Sequence, residues 1–241
     1  MRCLLLTSTL LIVFYGAFCQ DHQTNKKTLS RHLRAVYDVL KSDRKIKDGK
    51  YAVLNDAGQH VVDGYYVNGR KTGIWTFYDN QGKLVQQYDF SHDSLLLTNR
   101  DPLSIVQFDY QIPQGVDDSS KLQPPYKIGG PEYGFFLLYD ERDIPPTVKA
   151  TSGKAEMTYV LTIDEKGNLE SYSLIFGGEN FNDIVQRHSV KELPTEALDF
   201  SPARIDGLPV RSKISYRIPL DINHTSVPGN NYMPTRFGAS N

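Results

Sequence analysis

The chain has 241 residues, enough for one medium domain or two small ones, and 27 Lys and Arg against 28 Asp and Glu leave a net charge of −1. That balance supplies no field to gather nucleic acid or an anionic membrane surface, so nucleic-acid binding is disfavoured. Both cysteines, Cys3 and Cys19, sit at the amino end, which excludes a disulfide-stapled domain in the remaining 222 residues.

Arg2 precedes an apolar run from Leu4 to Phe18, interrupted only by Thr7, Ser8 and Thr9. The run closes on Ala17-Phe18-Cys19 before polar Gln20-Asp21, which is the shape of a cleaved secretory signal over residues 1–19. As a helix it falls short of the ~30 Å hydrocarbon core, so a removable leader is the expectation and an uncleaved inner-membrane anchor the alternative. Cleavage after Cys19 leaves no thiol, and a secreted chain that relies on its core alone points to a bacterial periplasm. Lipidation of Cys19 is the weaker alternative, because bulky Phe18 precedes it and Gly16 stands where an aliphatic residue is usual.

Over residues 20–50, Leu29, Leu33, Val36, Val39 and Leu40 recur at helical spacing after Thr28 or Ser30 as caps. They predict one amphipathic helix with a charged exit from Lys41 to Lys50. Residues 51–110 then carry a weak internal repeat, in which Tyr51 to Gly58 aligns on Trp75 to Gly82 as an aromatic strand ending in a glycine turn. Such a repeat predicts stacked β-hairpins, and Asn68-Gly69 is the strongest hairpin turn among them. Asn68, Gly69, Gly73, Trp75 and Tyr78 form the pattern Asn-Gly-x-x-x-Gly-x-Trp-x-x-Tyr, which resembles a bacterial MORN-type repeat. That resemblance implies a structural or interaction surface without catalytic residues. Leu95 to Leu97 and Ile105 to Tyr110 are expected to finish this sheet, and residues 111–124 read as a proline-bearing linker.

From 125 to 222 the pattern changes. Ala155, Met157, Tyr159, Leu161 and Ile163 alternate along one strand face, Asp164-Glu165-Lys166-Gly167 turns, and Leu169 to Phe176 returns. Phe181, Ile184, Val185 and His188 fall at helical spacing before Pro194, which cannot continue a helix. Asp206-Gly207 makes a tight turn into the alternating closing strand Ser212 to Leu220. The order of these motifs, with Phe200-Ser201-Pro202, Asp206-Gly207-x-Pro209 and the lead-in of Tyr126 to Gly130 and Ile144-Pro145, resembles the C-terminal domain of TonB energy transducers. The expected fold class is therefore α+β: a small antiparallel β-repeat region followed by a β-β-α-β domain. Residues 223–241, rich in Asn, Gly, Pro and Ser, read as a flexible tail.

No chemistry stands out. Histidines 22, 32, 60, 92, 188 and 224 are scattered without a metal-ligand spacing, and Ser152-Gly153-Lys154 lacks the upstream glycine of a phosphate loop. Glu141 and Asp143, like Asp164 and Glu165, are near neighbours in turns rather than carboxylates facing across a cleft. Asn223-His224-Thr225 fits a glycosylation sequon that a bacterial envelope would leave silent. No enzyme activity, cofactor or metal is expected.

What the resemblance implies is β-strand addition: an extended segment of an outer-membrane receptor, or of another envelope protein, pairs beside the closing strand in support of transport across the outer membrane. The residues expected to carry it are Arg211, Lys213, Ile214, Ser215, Tyr216, Arg217 and Ile218, with Lys213, Ser215 and Arg217 the most exposed. A homodimer joined through the same strand is a second use of that edge. Two alternatives stay open, a membrane-anchored energy transducer and a structural or antitoxin-like protein acting through its repeats.

Overall fold

A computed structural model describes residues 21–79, 81–99, 107–112, 121–138, 143–151 and 153–220. The expected signal peptide and the expected tail lie outside them, as do Glu141 and the sequon at Asn223.

The first half is a seven-stranded antiparallel meander in which every strand lies beside its neighbour in sequence. Its members are β1 (His22–Thr28), β2 (Arg34–Leu40), β3 (Lys47–Leu54), β4 (His60–Val67), β5 (Arg70–Tyr78), β6 (Leu84–Asp89) and β7 (Ser94–Thr98). Asn68 and Gly69 join β4 to β5 with φ of 47° and 80°, and Val67 pairs Arg70 across a two-residue turn, as the dipeptide predicts. One face buries Tyr51, Val53, Tyr66, Trp75, Phe77 and Tyr88. Trp75 is the hub, its ring 5.1 Å from Tyr51, 5.3 Å from Tyr66 and 5.2 Å from Phe90. Gly64 makes room for it, since a Cβ there would stand 2.3 Å from the indole; the ladder between β4 and β5 shifts register at this point.

The predicted amphipathic helix over this region is corrected: its residues are a turn and the strand β2. Leu29 N–H donates to the Leu33 carbonyl at 2.9 Å, closing the β1–β2 hairpin, and Ala35, Tyr37 and Val39 then pack toward the core while Arg34 is exposed. The helical spacing arises by joining the buried leucines of a turn to the buried residues of the next strand. Ala35-Val36-Tyr37-Asp38-Val39, β-branched and aromatic, suits a pleated ribbon better.

The second half adds β8 (Gln107–Gln111), β9 (Leu122–Gln123), β10 (Tyr126–Lys127), α1 (Gly130–Leu138) and α2 (Pro146–Lys149). It continues with β11 (Ala155–Ile163), β12 (Leu169–Gly178), β13 (Phe181–His188), β14 (Phe200–Ser201), β15 (Ala203–Ile205), β16 (Leu208–Val210) and β17 (Ser212–Leu220). Five of these strands form one antiparallel sheet in the order β13-β12-β11-β17-β8, while β10 pairs β14 and β16-β15-β9 make a small third sheet. With 59% strand against 10% helix among the described residues, the fold is β-rich, and the α+β expectation with a β-β-α-β domain is overturned.

The decisive element is β13, predicted as the helix of that domain. It pairs β12 from Phe181 opposite Gly178 to His188 opposite Tyr172. Ile184, Gln186 and His188 are half-buried, whereas Val185 is 52% exposed, so the four residues at helical spacing do not share a face. β8 corrects a second boundary: it lies against β17 instead of finishing the first sheet, which runs over 22–98 rather than 51–110. One continuous core joins the halves, from Leu29 and Trp75 through Tyr133 and Val148 to Tyr159, Phe176 and Ile214.

Candidate functional site

The closing strand is not a border. β17 lies between β11 and β8, with Lys213 opposite Gln111, Ile214 opposite Tyr110, Ser215 opposite Asp109, Tyr216 opposite Phe108 and Arg217 opposite Gln107. Ile214, Tyr216 and Ile218 face the core, and the Tyr216 ring packs 5.4 Å from Phe108. Lys213 and Arg217 are exposed on the other face, as expected, but Arg217 is 3.5 Å from Glu156 and Arg211, just ahead of the strand, 2.7 Å from Glu170. The backbone over 213–217 thus has a strand of the same chain on each side. Strand addition there, by a receptor segment or a second copy, is corrected: the hydrogen-bonding row it needs is already taken. Only a partner strand from far upstream could do this, and no local pattern announces one.

Four strands do border the two large sheets: β1 and β7 on the first, β8 and β13 on the second. β1 is polar and carries Lys26 and Lys27, the kind of side chain that blunts an edge. β7 exposes Leu95 and Leu96 but is only five residues long and slips register at Leu96. β8 is equally short. β13 is the longer of the two edges on the second sheet, eight residues without proline or lysine, and no described strand pairs with its far side. Gln186 Oε1 and His188 Nε2 on this strand are buried without a hydrogen-bond partner among the described residues, although the His188 ring stacks on Tyr172 at 5.0 Å. Unpaired buried polar atoms on an open border mark a place where something is missing.

A second concentration of unusual groups lies between the halves. Pro194 starts a short 3-10 turn over Thr195–Leu198 that presses Glu196 and Asp199 against the aromatic face of the first sheet. Glu196 accepts from Tyr51 Oη at 2.6 Å and from Lys47 Nζ at 3.2 Å. That ammonium sits 4.8 Å over Tyr66, 4.9 Å over Tyr51 and 5.1 Å over Tyr37. Lys71 pairs Asp199 and stacks over Trp75 and Phe90. Lys127 of β10, fully enclosed, donates to the Glu196 and Asp199 carbonyls at 2.8 Å each.

Burial would raise the Glu196 pKa, but the Lys47 charge, the Tyr51 hydroxyl and a backbone N–H outweigh it and bring it down to about 2. Desolvation pulls Lys127 down to about 7 against the attraction of Asp199. A neutral amine still has two N–H bonds for its two carbonyls, and leaves two lysine cations against two carboxylates. Lys47, Tyr51, Lys71 and Lys127 all donate to residues of 195–199, so the cluster acts as a latch. Nothing in the sequence pairs these groups, because 149 residues separate Lys47 from Glu196 and 128 separate Lys71 from Asp199.

The remaining sequence candidates stay apart. His22, His32, His60 and His92 pair with different aspartates, Asp48, Asp56, Asp63 and Asp89. Among the described residues no three His, Cys, Asp or Glu converge on a metal-sized site. Asp164 spends its carboxylate on its own turn, accepting from Lys166 N and Asn168 N. No helix among the described residues is long and apolar enough to cross a membrane. No family model matches the chain, and no curated protein or solved structure matches it either.

Proposed function

We propose that this protein is a non-enzymatic, secreted binding protein of the bacterial envelope that takes up an extended protein strand along β13. The leader-like first nineteen residues and the absence of thiols after them support the compartment. The observation that carries the mechanism is the border itself: an eight-residue strand whose far side no described strand pairs, an exposed apolar centre at Val185, and buried polar atoms on Gln186 and His188 without a hydrogen-bond partner among the described residues. Main-chain bonds along such a border give affinity, and alternate side chains give selection.

A panel of extended heptapeptides alternating apolar and polar residues tests this by fluorescence anisotropy. Saturable binding is expected, at least tenfold weaker for Val185→Lys, which puts a charge at the centre of the border without touching the core. Leu96→Lys on β7 is expected to change nothing. Peptides that bind Val185→Lys as well as the parent protein, or that still bind after N-methylation of their backbone, would overturn the reading.

A further inference from the structure

Resting on that reading, we infer that the occupant of the β13 border is a second copy of the same strand, running antiparallel about a two-fold axis at Val185. The basis is self-complementary charge. In an antiparallel pair, residues directly opposite share a sheet face, so a register centred on residue 185 sets Val185 against Val185, Ile184 against Gln186 and Asp183 against Arg187. The last match occurs twice, once on each side of the axis, because a two-fold interface repeats every contact.

Asp183 and Arg187 are both exposed, and neither has an ion-pair partner among the described residues. Elsewhere on the outer face of this sheet Glu156 is paired with Arg217 and Glu170 with Arg211. Asp183 stands over Gly177, beside Glu156, so its surroundings favour a cation that no described residue supplies. Val185, between the two unpaired charges, is 52% exposed. Opposite charges facing one another and an apolar pair at the centre both stabilise an antiparallel ladder. The other borders lack this symmetry: β1 carries two adjacent lysines, β7 no charge at all and β8 only Asp109. On the core-facing side, Gln186 meets Ile184 of the second copy, whose side chain offers no donor to Gln186 Oε1, so the pairing rests on Val185 and the two charge pairs of the outer face. Joined this way, the two five-stranded sheets form one ten-stranded sheet.

The test is a charge-reversal cycle on the full chain, read by analytical ultracentrifugation over a range of concentrations. Asp183→Arg sets Arg against Arg twice, and Arg187→Asp sets Asp against Asp twice. Each is expected to weaken self-association about 30-fold or more, and the double variant Asp183→Arg/Arg187→Asp is expected to restore it. Circular dichroism and urea midpoints of the single variants, taken at concentrations where the parent is monomeric, should match the parent, since both side chains are exposed. A parent chain that stays monomeric throughout overturns the second copy as occupant, and so does a dimer that neither single variant weakens. The broader reading survives either result if heptapeptides still bind and protect the β13 amides from hydrogen exchange. If those amides are protected neither by peptide nor by self-association, the binding role of β13 falls as well.

Discussion

The two sheets are built on opposite plans. In the first, strand order follows chain order from β1 to β7, so each pairing closes a short loop and each turn acts locally. In the second, β17 is flanked by β11 and by β8, which comes roughly a hundred residues earlier in the chain. Borders arise differently under the two plans. A meander leaves its first and last strands open by construction, whereas a sheet completed by a distant segment can close the strand that looks most available.

Substitutions in each sheet, and in the contacts between them, put this contrast to the test, and the largest effect belongs to the aromatic hub. Trp75→Ala should cost about 4 kcal/mol, because it empties the centre of the first sheet's core. As the core is continuous, urea unfolding of this variant should remain a single transition at lower midpoint. A transition that splits, with the second sheet surviving, would mean that the halves are energetically separate.

Next comes the latch between them. Glu196→Gln should cost about 3 kcal/mol, since it leaves Lys47 without its counter-charge among aromatic rings. The same carboxylate sets an acid limb. With a folded pKa of about 2 against an ordinary 4.5, its stabilising effect is complete above about pH 5 and fades as pH falls toward 2. Urea midpoints measured from pH 6 to 2.5 should show that loss, and Glu196→Gln should flatten it.

Lys127 sets a basic limb of opposite origin. Its folded pKa of about 7 lies below the ordinary 10.5, so the ammonium is a penalty that is full below pH 7. As pH rises from 7 toward 10 the folded chain gives up its proton first and stability climbs, by at most about 1.4 kcal/mol per pH unit. Lys127→Met should abolish that rise in urea midpoints between pH 6.5 and 9.5. The smallest effect is local to the meander: Gly69→Ala forces a Cβ into a turn with φ of 80° and should cost about 1 kcal/mol. Thermal unfolding would register it as a shift of a few degrees.

Legibility follows the same division. Asn68-Gly69 and the aromatic alternation around Trp75 disclose the β4–β5 hairpin, and alternation from Ala155 to Ile163 discloses β11 with its return strand. Helical spacing misleads twice. At Leu29 to Leu40 it merges a turn with a strand, and at Phe181 to His188 it merges both faces of β13. In each case apolar residues three and four apart satisfy the helix template while β-branched side chains and pairing with a neighbour favour the pleat. The candidate site fares worse. Arg211 to Ile218 announces a closing strand, and β17 is one, but its availability is not a property of those residues. Gln186, His188 and Asp183 carry no motif at all.

From the sequence alone come the signs of short-range structure, turns whose dipeptides demand positive φ and strands whose alternation assigns a core face, together with a net charge of −1. Only the tertiary structure decided which strand ends a sheet, which lysines meet which carboxylates, and which polar atoms are buried without a partner. The reason is one of range. Turn and pleat preferences act over a few residues, whereas a sheet border or a buried ion pair is set by segments roughly a hundred residues or more apart, whose meeting depends on how the whole core closes.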